Sequence, residues 1–342
     1  MRFLNKQVPP RHPHPRSQQG ITLIELMIAL VIGLLATGAM LKVYVDSSQL
    51  YRFNEGLARI QENGRFGLEF IRRDARMAGF WGCNHDAILD NLIQLAAPDH
   101  PDYELSGITS ENDSGSNGSD RITFSGAGRL VDTLRQDMTD KWRNVKVLSA
   151  VGIQRKDALL ITDCINADIF MVTGFPPSDP RNLKHRSGGS RKNTSRDLSK
   201  AYKKNMSSLY RVQQTTFCIA EGDADPAQFS LRRHVNQQDG DTCAADGDEL
   251  VEGIENMQIL MGEDTNGDGT ANRYVPPPEP GDRLMHPVVS IRISLLAVSP
   301  NNNVTTEPAP YFFNGVSVTP NINDRYLRKV FTTTITLRNK TG

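Results

Sequence analysis

Gln18-Gln19-Gly20-Ile21-Thr22-Leu23-Ile24-Glu25-Leu26-Met27-Ile28-Ala29-Leu30 is the stretch on which the organisation of this chain turns. It opens an apolar run of 21 residues, Ile21 to Leu41, in which Glu25 is the sole ionisable side chain. As a helix rising about 1.5 Å per residue, such a run spans roughly 31 Å, the thickness of a bilayer's hydrocarbon core. Arg2, Lys6, Arg11 and Arg16 precede it without any acid, and Lys42 follows it. The positive-inside bias therefore predicts a cytoplasmic N-terminus and an exported remainder. A secretory signal has a shorter apolar region with its small-residue cleavage site on the far side. Here the small residue, Gly20, lies on the near side. A carboxylate within a membrane span calls for a partner. Cleavage between Gly20 and Ile21 would create one, because the new α-amine of one subunit could meet Glu25 of its neighbour. A signal anchor carrying a tolerated glutamate is the plainer alternative.

The same residues closely resemble the type IV prepilin cleavage and methylation motif. The resemblance implies that Gly20 ends the leader and that Ile21 is the processed, N-methylated terminus. It also implies that Glu25 is the assembly carboxylate and that a prepilin peptidase is the processing partner. The family usually begins its mature chain with Phe or Met, so Ile21 departs from the pattern. The leader, residues 1–20, is longer than in many major pilins, a trait commoner in accessory subunits.

Beyond Lys42, apolar residues keep a helical period through Leu50, Phe53, Leu57, Ile60, Leu68, Ile71 and Ala75, with charges between them. No proline occurs between Ile21 and Phe80, which predicts one helix of about 55 residues, near 80 Å long. Its half at 21–41 would lie in the membrane, and its half at 42–82 would be amphipathic. The alternative is a break near Gly64 or Gly67, but a helical glycine costs only about 1 kcal/mol. From 83 to 342 the chain reads as a β-rich globular domain with exposed loops at 106–120 and 176–208. Strands are predicted at Arg121–Phe124, Ala158–Thr162, Ile169–Thr173, Leu209–Ile219 and Phe229–His234. Val289, Ile291, Ile293 and Leu295 alternate with polar residues, as do Phe331, Thr333, Ile335 and Leu337, each marking a half-buried strand. The fold class is α+β: a long N-terminal helix packed on an enlarged antiparallel sheet.

Three further stretches are similar to PilW-type minor pilins. They are Ala78-Gly79-Phe80-Trp81-Gly82-Cys83, Leu250 to Leu260 with Asn272-Arg273-Tyr274-Val275 beyond it, and Arg328 to Asn339. The resemblance implies a subunit of the complex that primes type IV pilus assembly and sits at the tip. Its implied partners are other minor pilins, a PilY-type tip adhesin, the major pilin and the inner membrane. The implied roles are adhesion, twitching motility or DNA uptake. The implied location is single-pass in the inner membrane with a periplasmic domain, and extracellular once assembled. A J-type pseudopilin of a type II secretion system shares this plan, and a membrane-anchored calcium- or ligand-binding module is the alternative from another class.

Composition sets the remaining bounds. With 342 residues, 38% hydrophobic and 23% charged, the chain is globular in character. Its formal net charge is zero but unevenly placed, because Arg181 to Lys204 holds nine cations against Asp197 alone. Within that block Arg181, Lys184, Arg186, Arg191, Lys192, Lys203 and Lys204 are candidate contacts for a polyanion, DNA or an acidic glycan. A solvated loop is the competing account, since only Tyr202 supplies an aromatic. Cys83, Cys164, Cys218 and Cys243 contain no CxxC pair. In an exported domain they read as two disulfides, with Cys83–Cys164 and Cys218–Cys243 favoured among three connectivities and buried thiols as the alternative. Asp264, Asn266 and Asp268 alternate as oxygen donors ahead of a glycine turn, as at the start of a calcium loop. Val275 stands where such a loop needs a bidentate glutamate, so an Asx/Gly hairpin competes. No HExxH, GxSxG or phosphate-cradling glycine motif occurs in the chain, and catalysis is not expected.

Overall fold

The computed structural model describes residues 20–82, the backbone of 92–94, and residues 107–187, 193–236, 243, 247–279, 282 and 284–339. It divides into two compact units that meet between Arg52 and Phe53. Helix α1 (Leu23–Ala75) belongs to both and is unbroken. In the first unit the apolar side chains of Leu23, Ile24, Ile28, Ile32, Leu35 and Leu41 are all exposed. No polar or ionic side chain other than Glu25 interrupts this surface until Lys42, apart from the hydroxyls of Thr22 and Thr37. Thr37 turns its hydroxyl back onto the Gly33 carbonyl, 2.8 Å away, which leaves the helix surface apolar.

The second unit holds the rest of α1, from Phe53, and sixteen strands among the described residues. They begin with β1 (Leu92–Gln94), β2 (Ile108–Glu111), β3 (Arg121–Thr133), β4 (Val145–Lys146), β5 (Ala158–Thr162), β6 (Ala167–Met171) and β7 (Asn182–Leu183). Next come β8 (Ser208–Glu221), β9 (Phe229–Val235), β10 (Asp248–Glu252), β11 (Ile254–Glu263) and β12 (Arg273–Val275). The last are β13 (Val288–Val298), β14 (Tyr311–Phe313), β15 (Val316–Val318) and β16 (Arg328–Thr336). One sheet runs β1-β6-β5-β8-β3-β2, with β9 and β10 continuing from the far end of β8. A second, fully antiparallel sheet runs β12-β11-β13-β16. The long strand β8 is the hinge of the first sheet: its start pairs with β5 and its end, Thr215–Glu221, pairs with β9.

The predicted periodicity places the core. Ile60, Leu68, Ile71 and Ala75 of α1 pack with Leu231, Ile254, Met257, Ile259, Ile291, Ile293, Leu295 and Ile335. A second cluster gathers Leu134, Val145, Leu159, Phe170, Leu183, Leu198, Tyr202 and Leu209. Asp120 ties the two sheets: its carboxylate accepts the Ile259 N–H at 2.7 Å and the Asp113 N–H at 3.1 Å. Burial nonetheless pushes its pKa up to about 6, because the low-dielectric surroundings disfavour the anion more than two donors favour it.

Two loop expectations are corrected. Within 106–120 lies β2, whose Ile108 and Ser110 are buried, and a short 3-10 turn at Ser116–Gly118. The four residues of β2 run buried, exposed, buried and half-buried, but the Ser/Asn/Gly-rich surroundings mask so short a strand. Within 176–208 lies β7, and Leu198 and Tyr202 are buried. The anchor is Asp168 in β6, whose carboxylate accepts the Ser199 N–H and hydroxyl and, at 2.7 Å, the Tyr202 hydroxyl. A buried carboxylate of this kind needs such donors, and three of them come from the segment read as solvated.

Candidate functional site

The head of α1 is closed by a reciprocal capping box. The Thr22 N–H and hydroxyl both donate to Glu25 Oε2, at 3.1 and 2.9 Å, and the Glu25 N–H approaches the Thr22 hydroxyl at 3.3 Å. This satisfies backbone donors that an apolar surrounding would leave unpaired. The signal was present in sequence as Thr22-Leu23-Ile24-Glu25, a T-x-x-E box, alongside the assembly role assigned to Glu25. Gly20 and Ile21 precede the first helical turn and are exposed.

Within the second unit, α1 is seated through glycines. A Cβ on Gly64 would fall 2.3 Å from the Phe331 ring, and one on Gly67 would fall 2.9 Å from Leu295 Cδ1. These are the positions considered as helix breaks. Their glycines serve instead to let β13 and β16 approach the helix backbone. Asn63 adds a polar tie, donating from Nδ2 to the Glu252 carbonyl at 2.9 Å.

Cys218 and Cys243 form a disulfide with Cα atoms 6.0 Å apart, closing a local loop as favoured. Cys164 is disulfide-bonded, and Cys83 lies outside the described residues.

The Asp264–Thr270 turn is held by its own donors. Asp264 accepts the N–H groups of Asn266, Gly267 and Gly269 at 3.1, 2.7 and 2.7 Å. Asp268 accepts the N–H of Thr270 at 2.8 Å and the Asn266 side-chain amide at 3.0 Å. These bonds are those of an Asx/Gly turn closed on itself. Calorimetric titration of the full chain with calcium is expected to give no saturable heat. Saturable heat abolished by Asp264→Asn would reinstate the ion.

Structure divides the basic candidates. Arg181 pairs with Asp179 at 3.3 Å and Lys203 with Asp137 at 3.3 Å, while the Lys204 N–H donates to Asp137 at 2.9 Å. Arg186 is exposed and Lys184 half-buried, with backbone bonds to the strand region at Thr173 and Gly174. Arg191 and Lys192 lie outside the described residues. The segment is thus partly neutralised by aspartates outside it, Asp179 just before its start and Asp137 remote in sequence, which a charge count of the segment does not see.

An apolar helix headed by a cleavage-and-methylation signature, in a chain whose remainder is a β-sheet domain, defines the class of type IV pilin-like proteins. Residues 15–41 match the prokaryotic N-terminal methylation motif, and residues 209–339 match the family described as Type IV Pilus-assembly protein W. Both matches are of the kind that a PilW-type minor pilin would give. The family region runs from β8 to the end of β16 and so contains the whole four-stranded sheet on which α1 is seated. No curated protein matches the chain. A type IV-like pilin from Thermus thermophilus aligns in structure at 11% identity and a TM-score of 0.35, covering 83% of this chain and 99% of that one.

Proposed function

We propose that this chain is a minor pilin, a structural, non-enzymatic subunit that primes type IV pilus assembly and sits at or near the fibre tip, supporting adhesion, motility or DNA uptake. The observation that carries the reading is Glu25. It stands on an otherwise apolar, exposed helix surface, and among the described residues its bonds go only to Thr22 of its own turn. A carboxylate so placed within a membrane span is costly unless a cation meets it. The α-amine released at Ile21 of an adjacent subunit supplies that cation at the level of the bilayer where subunits are exchanged. Prepilin peptidase would make the cut, and other minor pilins, the major pilin and a tip adhesin would be the assembly partners. The sheet domain would lie in the periplasm before assembly and outside the cell after it.

N-terminal sequencing of the chain recovered from membranes tests this reading. Wild type is expected to begin at Ile21, and Gly20→Val is expected to keep its leader and stay out of sheared fibres. A Gly20→Val chain that supports normal fibre numbers would sink the proposal. Loss of protein secretion with fibres intact in a deletion strain would move it to the pseudopilin reading.

A further inference from the structure

A polar cavity of about 320 Å³ lies away from α1, lined by Gln136, Arg143, Asn144, Lys146, Asn182 and Arg196. Its floor is the two-residue ladder of β4 and β7, where Lys146 stands directly opposite Asn182. Trp142 stacks on two of the lining guanidiniums: Arg143 lies 4.1 Å and Arg196 5.0 Å from the ring centroid. Arg196 is locked further, donating from Nε to the Trp142 carbonyl at 3.1 Å. Stacked guanidiniums lose little conformational freedom when they bind a planar anion.

The charge pattern around the cavity is the second observation. Several neighbouring cations have a carboxylate: Arg135 and Arg181 share Asp179, Lys141 has Asp197, Lys200 has Asp163 and Lys203 has Asp137. Among the described residues, Arg143, Lys146 and Arg196 have none. The cavity's one carboxylate, Asp137, is occupied by Lys203 and by the Lys204 N–H, and these hydrogen bonds hold its pKa below the usual range. Asn182 also lines the space with a buried side-chain oxygen that has no partner. Its amide can turn to present its NH₂ group instead.

We propose that this cavity binds a single acidic residue of a glycan, with the carboxylate or ester anion held by Arg143, Lys146 and Arg196 and the ring hydroxyls by Gln136, Asn144 and Asn182. The volume sits at the small end of ligand pockets, about 300 Å³ and upward, enough for one sugar ring. A nucleic acid is disfavoured because the lining offers no aromatic face for a base to stack on, the face of Trp142 being taken by the guanidiniums. The site differs from the basic segment singled out by composition. It draws Arg143 and Lys146 from outside that segment, and the segment's Arg181 and Lys203 are already paired.

The test is a binding titration of the full chain in detergent with oligogalacturonate. Maltotriose serves as the neutral sugar, inorganic phosphate as the bare anion and a single-stranded oligonucleotide as the nucleic acid. Saturable binding of oligogalacturonate alone is expected, weakened about tenfold by Arg143→Gln and by Lys146→Gln, in line with the loss of one charge-assisted hydrogen bond. Arg181→Gln, at a paired cation outside the cavity, is expected to bind as wild type does. Lys146 takes no part in the Trp142 stack, so its variant reads binding without disturbing the stacked arginines. Absence of saturable binding, or equal affinity for phosphate, would overturn the proposal. So would tighter binding of the oligonucleotide, or cavity variants that bind like wild type.

Discussion

Gly64→Leu is expected to lower the stability of the full chain by about 3 kcal/mol, seen as a fall of several degrees in its thermal midpoint by circular dichroism. On helix propensity alone the change would be favourable, by nearly 1 kcal/mol. Packing decides the sign. The Phe331 ring approaches so closely that even a Cβ would lie within 2.3, 2.5 and 2.6 Å of three of its carbons. Phe331 has little room to retreat, because it packs on the main core and stands opposite Leu295, a fully buried residue of β13. The control is a double-mutant cycle. Phe331→Ala alone removes packing and destabilises, but in the Gly64→Leu background it opens the space leucine needs. The double variant is therefore expected to be clearly less destabilised than the sum of the two single changes. Strict additivity, or a Gly64→Leu chain that melts like wild type, would mean that the helix does not bear on β16 at this point.

That close approach also shows where sequence reading reached and where it stopped. The periodicity of Ile60, Leu68, Ile71 and Ala75 was enough to find the buried face of α1, since a helix exposes its pattern within a few turns. The strands with clean alternation, β13 and β16, were likewise visible, and Ala158–Thr162 was placed residue for residue. Glycine in a helix is ambiguous by contrast. It marks either a weakness or a contact, and only the chain that comes to lie against it, over 260 residues later for Gly64, distinguishes the two. The same holds for charge. Asp137 and Asp163 lie outside the basic block they partly neutralise, so part of its apparent excess of cations was a property of the sequence window. The cap at the head of the helix went unread, although all of its partners are local: Thr22 and Glu25 are three residues apart.

Arg232→Met is expected to be the most damaging single change outside the helix seat, at about 3–5 kcal/mol. The guanidinium is fully buried, yet its engagement with the Asp223 carboxylate is not the main source of the loss. Asp223 is largely exposed and water can replace its partner, so Asp223→Ala is expected to cost little. The backbone is different. Arg232 donates twice to the Glu221 carbonyl, at 3.0 and 2.7 Å, and once to the Gly247 carbonyl at 2.9 Å. Methionine fills much of the same volume but supplies no donor, so those carbonyls lose partners that a buried acceptor needs. Position adds a second consequence. Arg232 in β9 stands in register with Cys218 in β8, whose disulfide to Cys243 restrains the chain four residues before Gly247. Salt-bridge geometry alone would make the effects of losing the arginine and losing the disulfide independent. If both instead pin the same returning segment, then Cys218→Ser with Cys243→Ser frees Gly247 to find water, and Arg232→Met becomes less costly in that background. Thermal melts of the four chains measure this coupling. A full, undiminished penalty for Arg232→Met without the disulfide would show that the two act independently.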